Sequence, residues 1–299
     1  MKLNAPKVAP YVFLTPFAVI FSVFIAWPLF RSLLLSFTIT SGPGAQVFVG
    51  TANYRFLLQD PDFWIAVRNT FTFVLFSLLI QVPLSLGLAL FLNRKGLWMR
   101  NTLRFAFFSP HLMGLVFASI LFTLLFAPRF GLVNEGLHAI TFGRWSMDTR
   151  WLSEARRVMP ALVMVNLWLY VGYSMIYFLA ALQGVDPQLY EAARVDGAGP
   201  LARFLNVTLP GIRHVVIFVV VISTIGGFQL FELPWLLLNN TPGPEKSGLT
   251  IVMYLYQNGF VSGDLGYASA IGWTLLFLVF CVSALQLKLS GALRKENMA

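Results

Sequence analysis

The 299-residue chain is 58% hydrophobic and 11% charged, against about 25% charged in an ordinary soluble domain, so it reads as an integral membrane protein and not as a soluble enzyme. Its net charge of +9 does not indicate nucleic acid, because the basic residues lie between apolar runs, where anionic lipid and the positive-inside rule account for them. One cysteine, Cys281, excludes an intramolecular disulfide, and the three histidines (His111, His138, His214) lack metal-ligand spacing, so no cofactor is expected.

Lys2 and Lys7 precede an apolar run longer than a signal-peptide core, which reads as a retained first span. Six segments reach the about 20 residues that cross a bilayer: 11–37, 70–93, 105–126, 159–181, 215–238 and 266–288. They are too long and continuous for barrel strands, so the expected fold is all-α with six transmembrane helices. Trp27, Pro28 and Arg31 read as an interfacial anchor and a kink in the first span. Pro110 and His111 predict a kink at the start of the third. Between spans, NYRFLLQDPDFW is amphipathic and aromatic, and NNTPGPEKSG is a turn or loop.

Arg94, Lys95, Arg100 and Arg104 fill the connection between spans two and three with no acid among them. With Lys2, Lys7, Lys288, Arg294 and Lys295, they mark the cytoplasmic side. The opposite loops mix Asp60, Asp62, Glu135, Asp148 and Glu154 with arginines; Arg156 and Arg157 run against the rule. The expected topology is N-in, C-in, with residues 1–299 as one transmembrane domain and a cytoplasmic loop at 183–213 between spans four and five.

That loop is far longer than a turn needs. Asp186-Pro187 is a helix start, Asp as N-cap and Pro at the first helical position. Gly197 suits the left-handed residue after the helix, Gly199-Pro200 starts a second helix, and Pro210 is expected to break it. Leu189, Ala192 and Ala193 are expected near one face, suited to a partner's groove. A plain linker would explain the polarity but not the doubled capping. GAGPLA is not a dinucleotide fingerprint, since it follows a helix without a βαβ unit, and the chain carries no GxxxxGK[ST].

Glu191-Ala192-Ala193, then Asp196-Gly197-Ala198, then Leu209-Pro210, resembles the EAA loop of binding-protein-dependent ABC importer permeases, in the same place between the fourth and fifth spans. A proline that often follows this motif is replaced near His214. WPLFRSLLLSF, FVGTANYRFLLQDPDFWIAVRNT and LGYASA resemble the sugar-type permeases, of the maltose and glycerol-3-phosphate kind. The resemblance implies a non-enzymatic permease subunit in the cytoplasmic (inner) membrane of a prokaryote. Its implied partners are ABC ATPase subunits docked at Glu191, Ala192, Ala193, Asp196, Gly197, Leu209 and Pro210, a second and different permease subunit, and an extracytoplasmic solute-binding protein.

Polar residues inside spans mark pathways or helix contacts. Asn166, Tyr170 and Tyr173 recur on one face of span four, and Ser223, Gly227, Phe228 and Gln229 cluster in span five. The family implies solute binding near the middle of these two spans. Rings with amides and hydroxyls suit a neutral polyol, although the same residues would also serve to bond neighbouring helices. Glu232, the one acid within the apolar runs, either lines the path or reaches the interface. The rival class, an ion-coupled secondary transporter, predicts buried acidic pairs or two related halves, and neither is visible.

Overall fold

The computed structural model describes residues 5–40, 46–94, 96 and 98–291. Lys2, Lys95, Arg294 and Lys295, used above to orient the chain, lie outside the described residues. Among the described residues the fold is all-α apart from one small hairpin, and the chain clusters into two compact units. One falls within Met1–Phe63 and Tyr254–Phe277, the other within Trp64–Met253 and Leu278–Ala299.

Among the described residues, four helices are long and apolar enough to cross a membrane: Tyr11–Leu35, Pro61–Leu92, Ala155–Gln183 and Leu265–Leu289. Two bent pairs qualify when each is taken as one span, Arg100–Leu112 with Leu115–Leu125 and Pro200–Gly211 with Arg213–Phe228, which gives six.

The first span is α1 (Ala5–Phe21), a π-helical turn at Ser22–Ala26, and α2 (Trp27–Leu35). Proline lacks an N–H and its ring presses on the carbonyl four residues back, and a widened turn relieves that conflict. Here the irregularity falls just ahead of Pro28 and the helix continues to Leu35. A short hairpin follows, β1 (Thr38–Thr40) and β2 (Gln46–Phe48), antiparallel with Ile39 opposite Val47. Helix α3 (Ala52–Gln59) is fixed to it by Asn53, buried at 4% exposure. Asn53 Nδ2 donates to the carbonyls of Ser36 and Thr38, both at 2.9 Å.

Asp60-Pro61 repeats the Asp-Pro helix start seen at 186–187. Asp60 Oδ1 accepts from the Asp62 amide at 2.9 Å, and α4 (Pro61–Leu92) begins there, nine residues before the expected position 70. At 32 residues, α4 is about 48 Å long, well beyond a hydrocarbon core of about 30 Å. The other Asp60 oxygen accepts from the phenols of Tyr254 and Tyr267, the latter at 2.7 Å. Burial works against the Asp60 charge, but these phenols and the Asp62 and Phe63 amides outweigh it and hold the carboxyl below its usual range. Burial and the Asp60 bond push the Tyr254 phenol up to about 12.

In the larger unit, α5 (Arg100–Leu112) and α6 (Leu115–Leu125) meet at 100°. The expected kink at Pro110 is displaced: the helix runs past Pro110, and the bend falls at Met113 and Gly114, both extended. Helix α5 lies against α8 (Ala155–Gln183), where a Cβ on Gly172 would collide with the Phe107 carbonyl. A small residue there lets two backbones approach as close as membrane helices can. Between them, α7 (Leu132–Ile140) is organised by fully buried Asn134. Its amide donates to the carbonyls of Ala127, Met147 and Thr149, and its oxygen accepts from the Trp151 indole at 2.8 Å.

The loop after α8 carries α9 (Pro187–Val195), α10 (Pro200–Arg203), a π-helical turn at Phe204–Thr208 and α11 (Leu209–Gly211). The expected break at Pro210 is corrected. A π turn again stands just ahead of the proline, the helix carries through Pro210, and the 68° bend comes at Ile212 before α12 (Arg213–Phe228). Span five is also shorter than expected. Helix α12 ends at Phe228, residues 229–231 are non-helical, and α13 (Glu232–Leu237) restarts separately. The expected loop at 239–248 is present, followed by α14 (Ile251–Tyr256) and the last span, α15 (Leu265–Leu289).

Candidate functional site

A cavity of about 510 Å³ opens in the larger unit, within the about 300–1,000 Å³ usual for small-molecule sites. Its walls come mainly from α4, α8, α12 and the break after α12, with single residues of α5, α6 and α14 and the start of α13. Helix α8 presents Asn166, Tyr170 and Tyr173, the i, i+4, i+7 face expected from the sequence. Helix α12 presents Ser223 and Gly227. Helix α12 stops at Phe228; Gln229 still follows the face of Ile222 and Gly226, and Glu232, beyond the break, also reaches the cavity wall. Discontinuous helices at such a place leave backbone and side-chain polar groups facing a hollow instead of lipid.

Phe228 is the exception among the residues expected here. It is fully buried, does not line the cavity, and packs edge-on against Phe71 with ring centres 4.9 Å apart. Its neighbour Gly227 is tightly backed, since a Cβ would lie 2.9 Å from Val74 Cγ2.

Sequence reasoning missed the contribution of α4. Phe73, Ser77 and Gln81 stand at i, i+4 and i+8, a run along one helical face akin to the i, i+4, i+7 run that identified α8. Gln81 is the hub: its Nε2 donates to Ser174 Oγ at 2.8 Å and to Ser223 Oγ at 3.3 Å, and its Oε1 accepts from Asn166 Nδ2 at 3.4 Å. Asn166 and Ser223 therefore do both things considered for them, joining helices and facing the cavity. Ser77 Oγ is buried at the cavity wall without a hydrogen-bond partner among the described residues. His111, from α5, was also missed; it stacks on Tyr173 with ring centres 4.3 Å apart and meets Tyr170 edge-on at 5.3 Å. Tyr173 OH lies 2.8 Å from Tyr177 OH.

The second candidate region is the loop at 183–213. Asp186 Oδ1 accepts from the Gln188 amide at 2.9 Å, so the expected N-cap is present. At the far end of α9, Ala198 N donates to Ala193 O at 2.9 Å and Gly197 N to Arg194 O at 3.1 Å. That bond pair is a Schellman motif, and it requires the positive φ of +77° that Gly197 adopts. The two arms of the loop are joined where Tyr190 OH meets Thr208 Oγ1 at 3.1 Å. At the base, Val185 and Ile212 enter a buried cluster with Ala89, Leu92, Met175, Phe178 and Val219. A shift of this loop therefore bears on α4, α8 and α12 together.

The faces of α9 differ from expectation in one respect. Tyr190 and Ala193 turn inward and are half-buried, while Leu189 and Ala192 point out. The outward surface also carries Val195 at 88% and Leu201 at 70% exposure. Glu191 and Asp196 are exposed, and among the described residues Glu191 forms no salt bridge or hydrogen bond. Leu209 is half-buried and Pro210 exposed.

Residues 5–295 match the family described as binding-protein-dependent transport system inner membrane component. The chain belongs to this family. It is a multi-pass membrane permease subunit of an ABC importer. The permease is 39% identical over 293 residues to the arabinooligosaccharides transport system permease protein AraP of Bacillus subtilis (strain 168), covering 97% of this chain and 91% of that one. It is 35% identical over 278 residues to the lactose transport system permease protein LacF of Rhizobium radiobacter, covering 92% of each. Its fold matches a crystal structure of a bacterial ABC transporter involved in the import of the acidic polysaccharide alginate. That match has a TM-score of 0.82 and 25% identity over 98% of both chains. These relatives are transporter permease subunits, not enzymes.

Proposed function

We propose that this permease passes a neutral sugar or oligosaccharide through the cavity around Gln81, Asn166, Tyr170 and Tyr173, driven by ATP hydrolysed on partner subunits that dock at 183–213. The observation that carries the reading is the cavity itself, lined by phenol and imidazole rings together with amides and hydroxyls. Rings cover the C–H faces of a sugar while amides and hydroxyls meet its hydroxyls. The relatives' names, as arabinooligosaccharide and lactose transport permeases, support the same solute class.

In this reading the chain lies in the inner membrane with both termini in the cytoplasm, paired with a second permease and served by an extracytoplasmic binding protein. A structural relative in complex with a periplasmic protein bound to an alginate pentasaccharide supports that last partner. The outward face of α9 seats the ATPase. Glu191 pairs with it as an exposed charge, whose contribution is only about 0–1 kcal/mol, so the apolar surface of Leu189, Val195 and Leu201 is the larger attraction. Closure of the ATPases is carried through the cluster around Val185 and Ile212 into the spans.

The test is uptake by proteoliposomes that contain the importer and its binding protein, with labelled arabinooligosaccharides and lactose as probes. ATP-dependent accumulation of either sugar, lost in Asn166→Ala with the ATPases still bound, is the expected result. Accumulation that follows a proton or sodium gradient and ignores ATP would favour the ion-coupled class instead.

A further inference from the structure

Among the residues that line the cavity, Glu232 is the one carrying a full charge, and no lysine or arginine faces it. The other ionisable groups there are the two phenols and His111, and an imidazole with an ordinary pKa of about 6.5 is mostly neutral at pH 7.5. Glu232 is in the first turn of α13, exposed, on the segment that the break at 229–231 swings to the cavity wall. A wall otherwise made of aromatic, aliphatic, amide and hydroxyl groups does little to screen a carboxylate, and a cleft with low-dielectric sides concentrates its field.

We propose that Glu232 makes this cavity an anion-excluding filter, admitting neutral and amine-bearing saccharides and turning away carboxylated or phosphorylated ones. The structure described for the alginate importer shares the fold, so the fold alone does not set the charge of the cargo. A bulky solute in a cavity of about 510 Å³ cannot keep away from one wall, so a uronate would be held within a few ångströms of like charge with no lysine or arginine among the described residues that line the cavity. The inference rests on the cavity as the solute path, but the charge of the cavity can be measured without knowing the solute.

The probes are a cationic and an anionic methanethiosulfonate of similar size, applied to the intact importer in nanodiscs at pH 7.5. The exposed native thiol is first removed with Cys281→Ala. Gly226→Cys then places a thiol on the cavity wall, where a Cβ meets nothing within 4 Å. Rates are divided by those of a free thiol in solution. At low ionic strength the cationic reagent is expected to react about tenfold faster than the anionic one. Glu232→Gln should bring the ratio to within about twofold of one, and salt should lower it where water fills the cavity. Should Gly226→Cys not assemble, Ile222→Cys on the same wall gives the same measurement.

A ratio near one, a ratio unchanged by Glu232→Gln, or thiols at both positions closed to both reagents would each overturn the proposal. The sugar-uptake assay reads separately. A strong cation preference with no sugar uptake keeps the filter and removes the solute assignment. Uptake of arabinooligosaccharides or lactose with no cation preference does the reverse.

Discussion

Gln81 and Ser174 lie on different helices and meet at 2.8 Å, with Gln81 Nε2 donating to a hydroxyl that is 2% exposed. The contact turns one glutamine into the junction of α4, α8 and α12, because the same side chain also holds Ser223 and Asn166. Gln81→Leu is expected to leave Ser174 and Asn166 under-satisfied and to lower stability by about 1–2 kcal/mol. Thermal unfolding in detergent measures that loss. Transport should fall further than stability does, since the junction also shapes the cavity.

Gly172 and Gly87 are both helical glycines in the larger unit, with opposite surroundings. A Cβ at Gly172 would run into the Phe107 carbonyl, whereas one at Gly87 meets nothing within 4 Å. Gly172→Ala should force α5 away from α8 and destabilise by about 1–3 kcal/mol. Gly87→Ala should be neutral or stabilise by up to about 1 kcal/mol, from reduced backbone freedom in the unfolded chain. Equal melting temperatures for the two variants would refute the close crossing.

Gly197→Ala forces a side chain onto a residue at φ +77°, at a cost of about 1 kcal/mol. No atom lies near enough to add a clash, so the loss is one of backbone conformation alone. Gly199, at φ −70° and in an extended N-cap position, should tolerate Gly199→Ser, which adds a favoured cap. The expected outcome is weakened capture of the ATPase by Gly197→Ala and unchanged capture by Gly199→Ser.

The outward apolar surface of the loop gives a further test of docking. Val195→Asp and Leu201→Asp alter side chains that are 88% and 70% exposed, so each should change the permease's own stability by less than about 0.5 kcal/mol. Co-purification of the ATPase should nonetheless drop at least several-fold. Retention of the ATPase by both variants would place the dock elsewhere.

Asp60 and Tyr254 predict opposite arms of a stability–pH profile. The Asp60 carboxyl is held below its ordinary value in the folded state, so its contribution is present above the unfolded value and lost as pH falls through the lower folded one. Tyr254 holds its proton up to about 12, so its contribution is full below an ordinary phenol value of about 10 and lost as pH rises through about 12. Asp60→Asn should remove the acid arm and Tyr254→Phe should shrink the alkaline arm, since Tyr267 keeps its own bond to Asp60, read as melting temperature across pH.

Composition and local chemistry determined much of this protein. Long apolar runs require helices in a bilayer, so the spans were legible at once. Asp186-Pro187 and Gly197 fixed the ends of α9, because an N-cap and a left-handed residue are satisfied by neighbours in the chain. The i, i+4, i+7 pattern placed Asn166, Tyr170 and Tyr173 on one wall, since a helix carries that geometry in its own periodicity. The π turns ahead of Pro28 and Pro210 were less accessible, because a proline signals only that a normal turn is in difficulty and not how the backbone relieves it. The break after Phe228 and the 100° bend at Met113–Gly114 were not legible in the local sequence. Nor was the site's hub: Gln81 reads in sequence as one polar residue in a greasy helix, and only the tertiary fold brings Ser174, Ser223 and Asn166, each more than eighty residues away, within its reach.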